Sequence, residues 1–295
     1  MSTWLSSFSQ SLDQWTGTSG SLGYICIVLA VYIGYHFTTT VMSSSSSTPK
    51  QSTPQEEQDE KEPLRNFTAQ QLRHFNGELE DGVPNPQHKP VYLSVAGTVF
   101  DVSDGRDFYG PGGPYATFAG RECGIALSKF AFDEQYLDIS VDRTQLNAGE
   151  RMELDQWLEK FQYYRHYPVM GKLIFDMPDP HRIIRQEELA KYNGTPEAPI
   201  PEGYATPPIY IAVDQDVFDM SFGGVSFYGP GGPYHKLAGR DATRALATMR
   251  LDDEMFAMTG EEEPLNEKQI KTMNDWKKTF TERKMYPIVG KLAET

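Results

Sequence analysis

The chain of 295 residues is poor in cysteine, in positive charge and in the motifs of nucleotide chemistry. Its two cysteines, Cys26 and Cys123, lie far apart. They exclude a disulfide scaffold and a cysteine zinc site, and they fit a reducing compartment. Lys and Arg number 27 against 41 Asp and Glu, a formal charge of −14. The deficit is spread through the body: residues 67–174 hold 15 acids against 10 bases, and 175–295 hold 20 against 14. A non-specific nucleic-acid binder needs a basic footprint and is excluded. A basic protein face remains a suitable partner. What is present is 39% hydrophobic residues and 12% aromatics, enough for real cores.

Charge is also missing at the N-terminus. No Lys, Arg, Asp or Glu occurs between Asp13 and Lys50, and residues 1–20 contain no basic residue. A cleaved signal peptide wants a basic start, so that reading is disfavoured. The run from Leu22 to Phe37, extended through Met42, is long enough to cross a bilayer as a helix. Residues 21–42 are therefore expected to be a single transmembrane helix behind a short segment 1–20. The first bases lie beyond the run, at Lys50, Lys61 and Arg65, which points to a cytosolic body. Residues 43–64, rich in Ser, Thr, Pro, Gln and Glu, read as a disordered tether.

The remainder is one unit written twice. FYGPGGPY occurs at Phe108–Tyr115 and again at Phe227–Tyr234, and each copy is followed three residues later by AGR. Trp157 matches Trp276, Phe161 matches Phe280, and Tyr167-Pro168 matches Tyr286-Pro287. The sequence predicts two domains, 65–175 and 182–295, joined by a short linker at 176–181. Tyr92–Phe100 and Tyr210–Phe218 alternate apolar and β-branched residues and read as strands. Three glycines and two prolines make FYGPGGPY a loop. The stretches from Ala119 to Leu127 and from Ala238 to Leu246 read as short helices. Glu150–Phe161 and Glu267–Phe280 read as helices with an inward tryptophan. PVMGKL and PIVGKL read as closing strands. Each unit is thus a small α+β domain.

The glycine-rich loop is a poor phosphate cradle. It lacks GxxxxGK[ST] and G-x-G-x-x-G, and its prolines remove backbone donors. No histidine is shared between the copies: His166 faces Met285, and His235 faces Ala116. Cys123 faces Ala242. No nucleophilic triad is duplicated either. Three tyrosines do recur: Tyr109, Tyr115 and Tyr167 as Tyr228, Tyr234 and Tyr286. A tyrosine fills a core or braces a loop by default, and as phenolate it can also ligate ferric iron. On residue type alone both readings stand.

The order strand, FYGPxGPY, AGR, short helix, Trp, YPVxGKL resembles the membrane-associated progesterone receptor family, a branch of the cytochrome b5-like haem-binding domains. FTAQQLRHFNG (Phe67–Gly77) is similar to that family's first helix. The resemblance covers both units and also the anchor and acidic tether. The family usually carries one such domain, so the tandem is a departure. It implies two tandem cytochrome b5-like domains behind a single N-terminal transmembrane helix.

The resemblance also assigns roles. The tyrosine ending the motif, Tyr115 or Tyr234, would be the single axial ligand of an open haem b, one or two per chain. Tyr109 and Tyr228 would be hydrogen-bonding neighbours of the axial oxygen. Tyr167 and Tyr286 would support the haem edge. The family's Lys beside that last tyrosine is replaced here by His166 and Met285, with Arg165 and Lys284 one residue earlier. Two additional residues separate the Trp from this tyrosine. Phe118, Leu127, Leu237 and Leu246 are candidate slot residues whose default role is core.

The implied protein is not an enzyme. It would be a single-pass endoplasmic reticulum membrane protein that modulates haem-thiolate monooxygenases or their reductase, sterol metabolism or haem delivery. A sterol or steroid ligand and haem-mediated self-association come with the same resemblance. The alternatives are a haem-free steroid-binding or scaffolding module and an electron-transfer haemoprotein.

Overall fold

The computed structural model describes residues 62–80, 87–257 and 264–293. The expected segment 1–20, the membrane span 21–42 and nearly all of the tether 43–64 lie outside these residues. Among the described residues no helix is long and apolar enough to cross a membrane. Residues 60–295 form one compact unit.

The first repeat contains β1 (Arg65–Phe67), α1 (Ala69–Leu72), β2 (Tyr92–Val95), β3 (Thr98–Asp101), α2 (Arg106–Tyr109), α3 (Gly124–Lys129), α4 (Ala148–Glu159) and β4 (Val169–Leu173). The second contains β5 (Ile183–Ile184), α5 (Gln186–Leu189), β6 (Tyr210–Val213), β7 (Asp216–Asp219), α6 (Val225–Tyr228), β8 (Arg240–Asp241), α7 (Thr243–Thr248), α8 (Glu254–Ala257), α9 (Glu267–Lys278) and β9 (Ile288–Leu292). The sheets run β1-β4-β3-β2 and β5-β9-β7-β6-β8. β1 and β5 lie parallel to the closing strands β4 and β9, and the other central pairs are antiparallel. The α+β class is as read from the sequence.

Two local readings are corrected. Tyr92–Phe100 and Tyr210–Phe218 are hairpins, not single strands. Their two-residue turns place Ala96 and Gly97, and Asp214 and Gln215, at positive φ. That is the backbone twist hairpins favour, but the Asn-Gly or Asp-Gly signal is absent from VAGTV and VDQDV. The first turn is instead held by Glu122, which is buried and accepts from the Ala96 and Gly97 amides and from the Ser94 hydroxyl.

The AGR segments are not helical. Gly120 and Gly239 sit at φ of 74° and 73°. A Cβ on Gly120 would stand 2.9 Å from the Arg73 Cα. The helices start only at Gly124 and Thr243. Trp157 and Trp276 do pack inward against the cores, partly buried, beside the buried Leu154 of α4 and Met273 of α9. Asn147 and Asn266 cap these helices with matching boxes through Glu150 and Gln269. Each helix then widens into a π turn, Lys160–Tyr164 and Thr279–Arg283, which absorbs the longer spacing to the tyrosine.

The cores sit between each sheet and its helices. The repeats are also joined. Ile174, just past β4, is buried in the core of the second repeat. Asn66 is fully buried. Its backbone N–H donates to the Ser221 carbonyl at 3.0 Å, its carboxamide reaches the Ser221 Oγ at 2.9 Å, and its Oδ1 accepts the Ala205 amide at 2.8 Å.

Candidate functional site: three nested tyrosines in each repeat

The duplicated loop is shaped by close backbone approach. α2 and α6 end at Tyr109 and Tyr228, and the chain turns back at once. Tyr115 N–H donates to the Phe108 carbonyl at 2.9 Å, and Tyr234 N–H to the Phe227 carbonyl at 2.9 Å. A Cβ on Gly113 would lie 2.5 Å from the Phe108 oxygen, and one on Gly232 would lie 2.4 Å from that of Phe227. Only glycine fits there. Gly112 and Gly231 take φ of 84° and 83°. The loop is therefore a fixed arch that delivers its last tyrosine back over the first.

The result is the same in both repeats. The Tyr109 and Tyr115 ring centres are 6.0 Å apart, as are those of Tyr228 and Tyr234. Tyr167 meets Tyr109 edge-on at 6.4 Å, and Tyr286 meets Tyr228 edge-on at 6.4 Å. Phe161 and Phe280, fully buried, support both inner rings. Tyr109, Tyr167, Tyr228 and Tyr286 are buried. Tyr115 and Tyr234 are half-exposed. Tyr115 and Tyr234 are thus the more exposed rings of each nest.

Burial sets the protonation of the inner rings. It pushes the Tyr109 and Tyr228 phenols far above their usual range, and it pushes Tyr286 up to about 12. Tyr167 is raised by the same desolvation. These hydroxyls remain protonated at neutral pH, so each can donate a hydrogen bond. Among the described residues no three His, Cys, Asp or Glu gather into a metal site. A macrocycle such as haem brings its own equatorial ligands and asks only one of Tyr115 or Tyr234. In the first repeat Tyr115 is flanked by two aromatic rings: buried Phe118 stacks on it at 5.9 Å, and exposed Phe132 meets it edge-on at 5.7 Å.

The other singled-out residues separate clearly. Phe118, Leu127, Leu237 and Leu246 are all buried core residues. Cys123 is buried with its thiol directed at the Ser94 carbonyl, and burial holds the thiol well above its ordinary range. His235 gives its Nδ1 to the Tyr228 carbonyl at 3.0 Å and braces the loop. His166 and Met285 occupy positive φ, at 52° and 51°, on the way out of the π turn. Arg165 stands 5.8 Å over the Phe108 ring, beside the first nest. Phe132 was not legible from the repeat, because Leu251 occupies its place in the second copy.

The match to a family decides what such a pair of nests belongs to. The model for the cytochrome b5-like haem/steroid-binding domain matches twice, at residues 68–174 and 185–293. The chain belongs to this family. Among curated proteins, the probable steroid-binding protein 3 of Arabidopsis thaliana is 42% identical over 108 residues, covering 37% of this chain and 97% of that protein. Membrane-associated progesterone receptor component 2 of Homo sapiens is 35% identical over 130 residues, covering 44% of this chain and 54% of its own length. The chain thus spans about half of that relative. The cytochrome P450 regulator dap1 of Schizosaccharomyces pombe is 32% identical, covering 40% of this chain and 68% of that protein. A solved Arabidopsis thaliana protein described as having a cytochrome b5 like fold is 37% identical and covers 41% of this chain and 99% of its own, with a TM-score of 0.32. This chain carries the domain in tandem, and the three tyrosines cluster in both copies.

Proposed function

We propose that the chain is a membrane-anchored haem-binding regulator of haem-thiolate monooxygenases and not itself an enzyme, with Tyr115 and Tyr234 as axial ligands. The observation that carries this reading is the nest built twice to the same distances around one half-exposed phenol. Haem b, one or two per chain, supplies a ferric centre when bound. Tyr115 and Tyr234 offer the phenolic oxygen. Tyr109 and Tyr228 hold a proton that they can donate toward it. Tyr167 and Tyr286 buttress the edge, and Arg165 adds a cation there for an acidic substituent.

A phenolate ligand favours ferric iron and suits a carrier, sensor or regulatory module better than an electron relay. The named roles of the relatives, steroid binding and cytochrome P450 regulation, support a monooxygenase or its reductase as partner and a sterol or steroid as a second ligand. The acidic surface suits a basic docking face. The half-exposed tyrosine leaves room for two domains to pair. Residues 21–42 would hold the chain in the endoplasmic reticulum membrane, with the domains in the cytosol. Deleting residues 1–43 is expected to move the protein from the membrane pellet to the supernatant; continued sedimentation would refute the single anchor. Haem content of Tyr115→Phe and Tyr234→Phe chains tests the site itself.

A further inference from the structure

The two nests are alike inside but differ at their edges. In the first repeat Gly105 donates to the Val102 carbonyl, and in the second Gly224 donates to the Met220 carbonyl. A Cβ on either glycine would crowd the hydroxyl of Tyr167 or Tyr286, so the two glycines are structurally equivalent. The second copy has one more residue in this span: Phe222-Gly223 stands where the first has Asp104. That additional residue meets the first repeat.

Gln71 lies on α1 of the first repeat and is buried. Its carboxamide nitrogen donates to the Phe222 carbonyl at 2.7 Å, to the Lys284 carbonyl at 3.0 Å and to the Met285 carbonyl at 3.2 Å. One side chain therefore ties the inserted turn to the segment that carries Tyr286. Arg65 adds a second tie, from its Nη2 to the Phe222 carbonyl at 2.9 Å. Its guanidinium lies where a side chain at Gly223 would be: a Cβ there would fall 2.6 Å from the Arg65 Cζ. Gly223 sits at φ of 115°, so a residue with a side chain would be strained there as well. A cleft of about 550 Å³ opens beside these ties, lined among others by Arg65, Gln71, Phe222, Arg283, Lys284 and Tyr286.

Among the described residues no matching tie runs from the second repeat to the first site. The places of Arg65 and Gln71 in the second repeat are taken by Arg182 and Glu188, which pair with each other at 2.7 Å. Arg182 also donates to the Val289 carbonyl within its own repeat. Asp104, opposite the first nest, is exposed.

We propose that the first repeat is a built-in positioning element for the second repeat's tyrosine site. Gln71 and Arg65 hold the Phe222–Gly223 turn and the Lys284–Tyr286 segment, so the second site is completed by the first repeat while the first site stands alone. This rests on the tyrosine-ligation reading, as a statement of how one of the two sites is regulated. Losing contact between the repeats loosens only the second.

The test uses the full chain in two backgrounds, Tyr115→Phe to leave the second site and Tyr234→Phe to leave the first. Gln71→Glu keeps the acceptor that caps Thr68 N–H but replaces the donor with a carboxylate facing three carbonyls. Haem release to an acceptor protein is expected to accelerate about tenfold or more from the second site, with less than about twofold change from the first. Thr68→Ala removes the other half of the cap and is expected to leave the second site unchanged. Hydrogen exchange in the haem-free chain gives a second readout. The Gly224 and Tyr286 amides are expected to exchange faster in Gln71→Glu, and Gly105 and Tyr167 are not. Equal acceleration at both sites, or no change in release and exchange, would overturn the proposal. A chain that binds no haem would refute the ligation reading alone, and exchange would still decide this one.

Discussion

Asn66 and Ser221 meet across the boundary between the repeats: the carboxamide nitrogen of one lies 2.9 Å from the hydroxyl of the other. Asn66 is fully buried and also accepts the Ala205 amide. Removing its side chain strands a buried donor and leaves a cavity. Asn66→Ala is expected to cost roughly 2–4 kcal/mol. Urea unfolding followed by fluorescence and by circular dichroism checks this. The intact chain should show one coincident transition, and the variant a lower midpoint with the two repeats separating.

Gly113 and Gly232 test the arch. A methyl group at either place would collide with the Phe108 or Phe227 carbonyl. Neither oxygen is free to retreat, because each accepts the N–H of the tyrosine it delivers. Gly113→Ala is expected to destabilise the first repeat by about 1–3 kcal/mol and to displace Tyr115. Haem loss from a Tyr234→Phe chain, with the haem of a Tyr115→Phe chain unaffected, is the expected outcome.

Asp219 gives the fold a pH dependence. It is fully buried, and desolvation pushes its pKa up to about 6. One carboxylate oxygen accepts from the Ile209 and Ser221 amides, and the other has no partner. The folded state thus holds the proton more tightly than the unfolded chain. Stability is greatest below the unfolded carboxyl value of about 4 and falls as pH rises toward 6, by about 2–3 kcal/mol. Asp219→Asn should flatten that decline without loss of stability at pH 7. Thermal unfolding across pH 4–7 measures both; other titrating groups enter wild type and variant alike.

Tyr109 tests the donor behind the ligand. Tyr109→Phe keeps the ring packing against Tyr115, Phe161 and Tyr167. It removes the proton that burial retains there. The haem should stay bound, but the axial phenolate, no longer sharing charge with a donor, should bind ferric iron more strongly. A lower reduction potential at the first site is expected by spectroelectrochemistry.

The repeat made the tyrosine clusters legible. An internal copy removes His166, His235 and Cys123 from consideration and keeps three tyrosines, and the structure places those three together in each unit. What the sequence hides has physical causes. Hairpin turns at Ala96-Gly97 and Asp214-Gln215 lack their usual residues because Glu122 braces one and Thr243, through the Asp214 amide, braces the other. The π turn before Tyr167 shows in the sequence only as the two additional residues after Trp157, which do not say how the backbone takes them up. Thr68 and Gln71 can be read as a helix cap from their spacing. That the same Gln71 also spends its amide donor 213 residues away, on the Lys284 carbonyl, follows only from how the repeats pack.

The central claim is tyrosine ligation in both repeats. Its most direct measurement is the absorption spectrum and haem-to-protein ratio of the reconstituted chain, compared with Tyr115→Phe, Tyr234→Phe and the double variant. The account predicts a high-spin ferric spectrum with about two haems per chain, the behaviour of a single phenolate ligand. Each single variant should lose about half of that haem, and the double variant nearly all. Undiminished haem in the double variant would contradict it.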